Sequence, residues 1–239
     1  MSHFSSSVSL KARRSARVDI GLSALLASLT LGFVVCFAVA AAAYPGGTWC
    51  VPEASGFDPL YSYFCDVLRE KGLNGQPNPG AGIARAALIV LAGAFVPFWL
   101  LLARVPVLPR GAARALRVFG LLSAFGALGV ALTPSDRFAV AHQLAVLTAG
   151  PTGVVAGGLA VIALARAGKS ARLLAGLAGA TVTFTAIDAL LYAQQLVRPM
   201  PCPVALPVLQ KLAAVGALAW MLAVAVQGFR RGRSRATSG

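Results

Sequence analysis

Thr181, Thr185, Asp188, Tyr192 and Gln195 follow one another at intervals of four, three, four and three residues. That spacing puts all five on one face of a helix. The face lies inside an apolar run, Leu173 to Val197. A carboxylate there must be paired, protonated or wet, because an isolated charge in an apolar medium is costly. Further polar groups enter other apolar runs from the same side. Lys211 stands beside Gln210 about one turn into the run Leu206 to Phe229, and His142 about one turn into Phe138 to Ala165, behind Asp136 and Arg137. Asp188, Lys211, His142, Tyr192, Gln195 and Gln210, with Asp136 and Arg137 at the edge, are candidates for one pocket. Such a pocket would take a lipid headgroup or a small polar ligand between the opposite charges of Asp188 and Lys211.

The same residues admit two other readings. Asp188 and Lys211 can form an ion pair that fixes helix register, with Thr and Gln bonding between helices. Alternatively, His142 or Asp188 acts as general base in an intramembrane lipid-modifying hydrolase or transferase, with Lys211 or Arg137 stabilising negative charge. No Gly-x-Ser-x-Gly nucleophile motif is present. The two histidines, His3 and His142, have no ligand-like spacing to cysteine or carboxylate. No catalytic residue, metal or cofactor is therefore assigned.

The elements that must hold these groups are legible in composition. Hydrophobic residues make up 58% and charged residues only 12%, against about a quarter charged in soluble domains. The mean hydropathy is +0.77. A soluble globular enzyme and a disordered chain are both excluded. Six runs approach the ~20 apolar residues that cross a bilayer: 20–43, 83–103, 115–132, 138–165, 173–197 and 206–229. The reading is an all-α integral membrane protein of six spans in one bundle, residues 20–229, between basic tails at 1–19 and 230–239. The first run has 24 residues behind a basic leader. That exceeds a signal-peptide core of about 7–15 residues and reads as an uncleaved span.

The net charge of +14 invites a nucleic-acid reading, but its placement does not. Alternating six spans puts 15 basic residues on the side of both tails and 6 on the other. Excess Lys and Arg mark the cytoplasmic side, so both termini are expected in the cytoplasm. Membrane lipids suffice as partners for the basic segments, and no nucleic acid is needed. Arg outnumbers Lys 17 to 4, which suggests a GC-rich bacterial genome and an inner-membrane home. A transporter is a third reading, from Gly150-Pro151 inside the fourth run. The almost purely apolar cytoplasmic halves of the spans oppose it.

Residues 44–82 form the one long connection, and the orientation puts it outside. Its aromatic residues and the turn signals Pro45-Gly46-Gly47 and Asn74-Gly75 predict a structured loop. Asp58 before Pro59 predicts the start of a short helix over 58–71. Cys50 and Cys65 lie 15 residues apart in this loop. The outer side permits a disulfide between them, with Cys202 as a rival partner and reduced thiols as the alternative. Cys36 reads as a small apolar residue within the first span.

Several short strings carry a family resemblance: Tyr44-Pro45-Gly46-Gly47-Thr48-Trp49, Gly56-Phe57, Phe64-Cys65-Asp66, Asn74-Gly75 with Asn78, Pro134 to Arg137 with His142, Asp188 with Tyr192, and Leu206-Pro207 with Gln210-Lys211. Together they resemble a bacterial family of multi-pass membrane proteins known as domain of unknown function 998, itself similar to six-span DRAM/Frag-type proteins. The resemblance covers residues 20–229. It implies a six-helix bundle with a structured outer loop, and it supplies no reaction.

Overall fold

The computed structural model describes residues 2–105 and 107–237. Among these residues it has six α-helices and no strand. They are α1 (Ser2–Ala42), α2 (Ala81–Leu102), α3 (Arg110–Leu132), α4 (Ala139–Arg166), α5 (Arg172–Val197) and α6 (Ala205–Thr237). Each is long and apolar enough to cross a membrane. The protein is a six-helix, multi-pass membrane bundle with a structured loop between α1 and α2. The apolar runs read from the sequence match the helices, and three boundaries differ. α3 starts at Arg110, so that Arg110, Arg114 and Arg117 occupy its first turns. α1 begins at Ser2 and α6 extends to Thr237. The two tails are therefore helical extensions of the first and last spans rather than separate segments; Met1, Ser238 and Gly239 lie outside the described residues.

Each helix packs against the next in the chain, and α6 closes the ring on α1. Short connections make sequential helices neighbours. Small residues set the closeness of the approach. A Cβ at Gly120 would collide with the Trp99 ring, one at Gly126 with the Ala149 backbone, and one at Gly216 with the Thr181 hydroxyl.

The main core fills the half of the bundle nearer the chain ends. There Phe98 and Trp99 of α2 meet Trp220 of α6, with ring centroids 4.6–6.0 Å apart. At that end Asp19 of α1, only 4% exposed, accepts charged hydrogen bonds from Arg104 and Arg235. One carboxylate thus ties α1 to the end of α2 and to α6. A second, smaller core of Ala40, Tyr44, Val67, Leu68, Ala84 and Val130 fills the other half between α1, α2, α3 and the loop. The corresponding half of α4, α5 and α6 is not filled in this way.

Candidate functional site

The loop is knitted by its own backbone and then fastened across the bundle end. Gly46 and Gly47 have φ of 119° and 86°, a region that favours glycine. This turn brings Pro45 and Gly46 against Asn74, whose amide donates to the Pro45 carbonyl at 2.9 Å. The buried Tyr44 hydroxyl donates to the Gly47 carbonyl and accepts from the Leu73 N–H. Thr48 Oγ1 accepts the N–H groups of Cys50 and Val51. Tyr44, Pro45, Gly46, Gly47, Thr48 and Asn74 of the loop string therefore build the loop itself.

The expected helix over 58–71 does not form. Asp58 Oδ1 accepts from the N–H groups of Leu60 and Tyr61, as an N-cap does, but only one turn follows. Tyr63 is extended, and a short 3₁₀ helix, Phe64–Leu68, begins after it. Asp66 Oδ2 reaches back to the Tyr63 N–H at 2.8 Å and so caps the start of that 3₁₀ helix.

Side-chain hydrogen bonds, an ion pair and a disulfide hold the loop over the bundle. Gln210 Oε1 accepts the Phe64 N–H at 2.8 Å. Lys211 Nζ donates to the Ser62 carbonyl, and also to Pro207 O at 3.1 Å. The Glu70 N–H donates to Asp136 Oδ2 at 2.7 Å, and Arg137 pairs with the Glu70 carboxylate at 2.9 Å. A disulfide joins Cys50 to Cys202, between α5 and α6. The Cys50–Cys65 pairing is thereby corrected: the rival Cys202 takes Cys50, and Cys65 is a free thiol. Their separation of 15 in sequence carries no information about distance once the loop folds back across the bundle.

Beneath the loop, α4, α5 and α6 enclose a cavity of about 410 Å³. His142, Asp188, Tyr192, Gln195 and Gln210 line it, as do Trp49 and Asp66 of the loop string. Along α4 it reaches from Ala139 to Gly150-Pro151, roughly 16 Å at the helical rise. Val146, Leu147, Pro151 and Leu206 give it an apolar wall. α4 runs unbroken through Pro151. Proline there removes one backbone donor, and Thr152 and Thr148 bond back to the preceding turn.

Three expected members are elsewhere. Lys211 serves the loop, with its ammonium 5.6 and 5.8 Å from the Phe57 and Phe64 ring centroids. It makes no ion pair with Asp188, so the expected pair of opposite charges is absent. Asp136 and Arg137 are engaged by Glu70 and do not reach the cavity. Gln195 lines it with both amide ends committed to the Met200 backbone, at 2.9 and 3.0 Å. Of the α5 stripe, Thr181 is buried against Leu177 and Gly216, deeper than the cavity floor. Thr185 is on the wall.

His142 is held by its Nδ1, 2.7 Å from the Thr133 carbonyl. A carbonyl can only accept, so Nδ1 carries a proton, and in the neutral ring Nε2 keeps its lone pair. Asp188 is half-buried and no Lys, Arg or His lies within ion-pair distance of it among the described residues.

The loop contributes wall residues that the sequence did not place at the pocket: Tyr63, Cys65 and Arg69. Arg69 is anchored to the Lys71 carbonyl and to the Ser135 hydroxyl, both at 3.4 Å. Burial pushes the Asp66 carboxyl up to about 6, against the opposing pull of the Tyr63 N–H, Arg69, the Trp49 side chain and Lys211. Burial also pushes the Cys65 thiol up to about 12. It is thus a protonated thiol at neutral pH, not a nucleophile. Tyr63 is shifted up by burial and then by the charges of Asp66 and Asp188. No cluster of metal-ligating side chains occurs among the described residues. In comparisons with known proteins the chain matches no family model, no curated relative and no solved structure.

Proposed function

We propose that this protein binds a lipid headgroup or a small amphiphilic ligand in the cavity under its outer loop. The observation that carries the reading is the unpaired Asp188 carboxylate on the wall of an otherwise largely apolar chamber of about 410 Å³. Chambers of about 300–1,000 Å³ with an apolar lining and a few convergent polar groups are the usual form of a small-molecule site. A structural ion pair would have satisfied Asp188 with Lys211, and that cation is spent on the loop.

The loop side is the outer side, and both termini are cytoplasmic. Two independent features support this. The basic excess lies at the end of the chain termini, and the Cys50–Cys202 disulfide lies at the opposite end, as an oxidising compartment favours. Arginine-rich, alanine- and glycine-rich composition supports a bacterial inner membrane. The resemblance to domain of unknown function 998 fits the six spans and the structured loop.

A lipid-modifying enzyme is the second reading. It is favoured by His142 Nε2, which has no hydrogen bond among the described residues and stands on the wall that also holds Asp188. The Cys65 thiol does not supply its nucleophile, since burial holds it protonated.

Native mass spectrometry of the purified chain beside Ala189→Trp tests the binding reading. Ala189 lines the cavity, and an indole there takes up part of it beside Asp188. The wild type is expected to carry a defined adduct that the variant loses. A wild type that neither carries an adduct nor takes up an added amphiphile, or a variant that keeps the adduct, would count against the site.

A further inference from the structure

We infer that the cavity is built for a lipophilic organic cation: an ammonium group on an apolar body, with Asp188 as its counter-ion. The inference rests on the binding reading above and names the ligand class.

Charge matching inside the chamber carries the argument. Two carboxylates line it, Asp66 and Asp188. Asp66 is provided for, with the Tyr63 N–H on one oxygen and Arg69, Lys211 and the Trp49 side chain in electrostatic or hydrogen-bonding reach. Among the described residues Arg69 is the one Lys or Arg on the wall, and it faces Asp66 and is tied to the Lys71 carbonyl and Ser135. Asp188 has no such provision. The unmatched charge of the cavity is negative, so the complementary ligand is positive.

The surroundings of Asp188 fit the same class. Tyr63 and Tyr192 lie close enough to feel its charge, and Trp49 lines the same chamber. Aromatic faces around a carboxylate attract ammonium groups, quaternary ones included. Val146, Leu147, Pro151 and Ala189 offer the apolar body a surface. An anionic ligand would set its charge against Asp188. A sugar would leave that wall without polar partners.

Two sources present this chemistry: the amine headgroup of a membrane lipid, and a free lipophilic amine. Trp49 reports on either. Trp99 and Trp220 are buried in the core at the other end of the bundle, whereas Trp49 is half-exposed on the cavity.

The experiment titrates the full chain in dodecyl maltoside with octyltrimethylammonium, octyl sulfate and octanol, following Trp49 fluorescence. The cation is expected to bind saturably, and the other two at least about ten-fold more weakly, as for loss of one charged contact. Asp188→Asn should cost the cation a similar factor, while Asp188→Glu keeps the preference; an unchanged unfolding midpoint certifies the fold. If octyl sulfate or octanol binds as well as the cation, or Asp188→Asn changes nothing, the cation assignment is overturned. Binding that is still lost in Ala189→Trp would then leave the general ligand site standing. If no probe binds and no adduct is carried, both readings fall. Native mass spectrometry separates the sources. An amine-lipid adduct displaced by octyltrimethylammonium supports the assignment with a lipid as source, and binding by an adduct-free protein supports it with a free amine.

Discussion

Lys211 of α6 donates its ammonium protons to the carbonyl oxygen of Ser62 in the loop between α1 and α2, 149 residues away in sequence. It does not pair with Asp188, the carboxylate one helix over. The polar residues of the loop half fall into two groups with different jobs, and Gln210 belongs to both. Lys211, Gln210, Asp136, Arg137 and Cys202 hold the loop down. Asp188, His142, Tyr192 and Arg69 face the space the loop covers.

Lys211→Met should therefore loosen the loop and leave the helical walls of the cavity in place. Losing a charged hydrogen bond and the contacts over Phe57 and Phe64 is worth about 1–3 kcal/mol. Hydrogen exchange is expected to accelerate across 57–66 with helices α4 and α5 unchanged. Equal protection in wild type and variant would show that Lys211 does not fasten the loop.

The disulfide makes a second prediction. Peptide mapping without reduction should recover Cys50 linked to Cys202, with Cys36 and Cys65 free. Cys202→Ala should lower the unfolding midpoint, since a crosslink closing so long a loop contributes about 2–4 kcal/mol. Cys65→Ser should leave both the linkage and the midpoint near wild type. Recovery of a Cys50–Cys65 peptide would reverse the assignment.

Asp66 gives the loop a pH dependence of definite sign. Its carboxyl rises from an ordinary 3.8 to about 6 in the folded protein, so the folded state binds this proton more tightly than the unfolded chain. Its contribution to stability is fully present below pH 4 and is lost as pH rises through about 6. Arg69 and Lys211 oppose the shift, and burial outweighs them. Asp66→Asn should remove a stability difference of order 2 kcal/mol between about pH 4 and pH 7. The comparison of thermal midpoints across that range isolates it from other acids. A wild type and variant with parallel pH profiles would contradict the assignment.

At the other end of the bundle, Asp19→Asn should leave Arg104 and Arg235 without their shared partner. Asp19 is buried but both arginines are about two-fifths exposed, so the cost is moderated by water to about 1–3 kcal/mol. A lowered midpoint, with the cavity's ligand binding unchanged, is the expected pattern. An unchanged midpoint would remove the clasp from the account of the fold.

The spans were legible because a bilayer demands long apolar runs, and the six helices overlie them closely. The α5 stripe was legible for a similar reason. Helical spacing alone places Thr185, Asp188, Tyr192 and Gln195 on one face, and all four line the cavity. What sequence could not give was the loop's path. Cys50 finds Cys202 and Phe64 finds Gln210 only because the chain crosses the bundle end, and spacing says nothing about such a crossing. Arg69 and Tyr63 reached the cavity by the same route. The mismatch over Lys211 has this origin too. Its depth in α6 agreed with Asp188, but the loop that claims it was invisible to helical periodicity.

On the proposed reading, Asp188 stands in a water-filled, negatively charged cavity that opens to the outer side. Ala189→Cys in a Cys65→Ser background tests it most directly, in right-side-out membrane vesicles. The reagents are membrane-impermeant methanethiosulfonates of opposite charge. The account predicts labelling from the outside, faster for the trimethylammonium reagent than for the sulfonate, with the difference removed by adding Asp188→Asn. No labelling from the outside, or labelling that is faster for the anion, would contradict it.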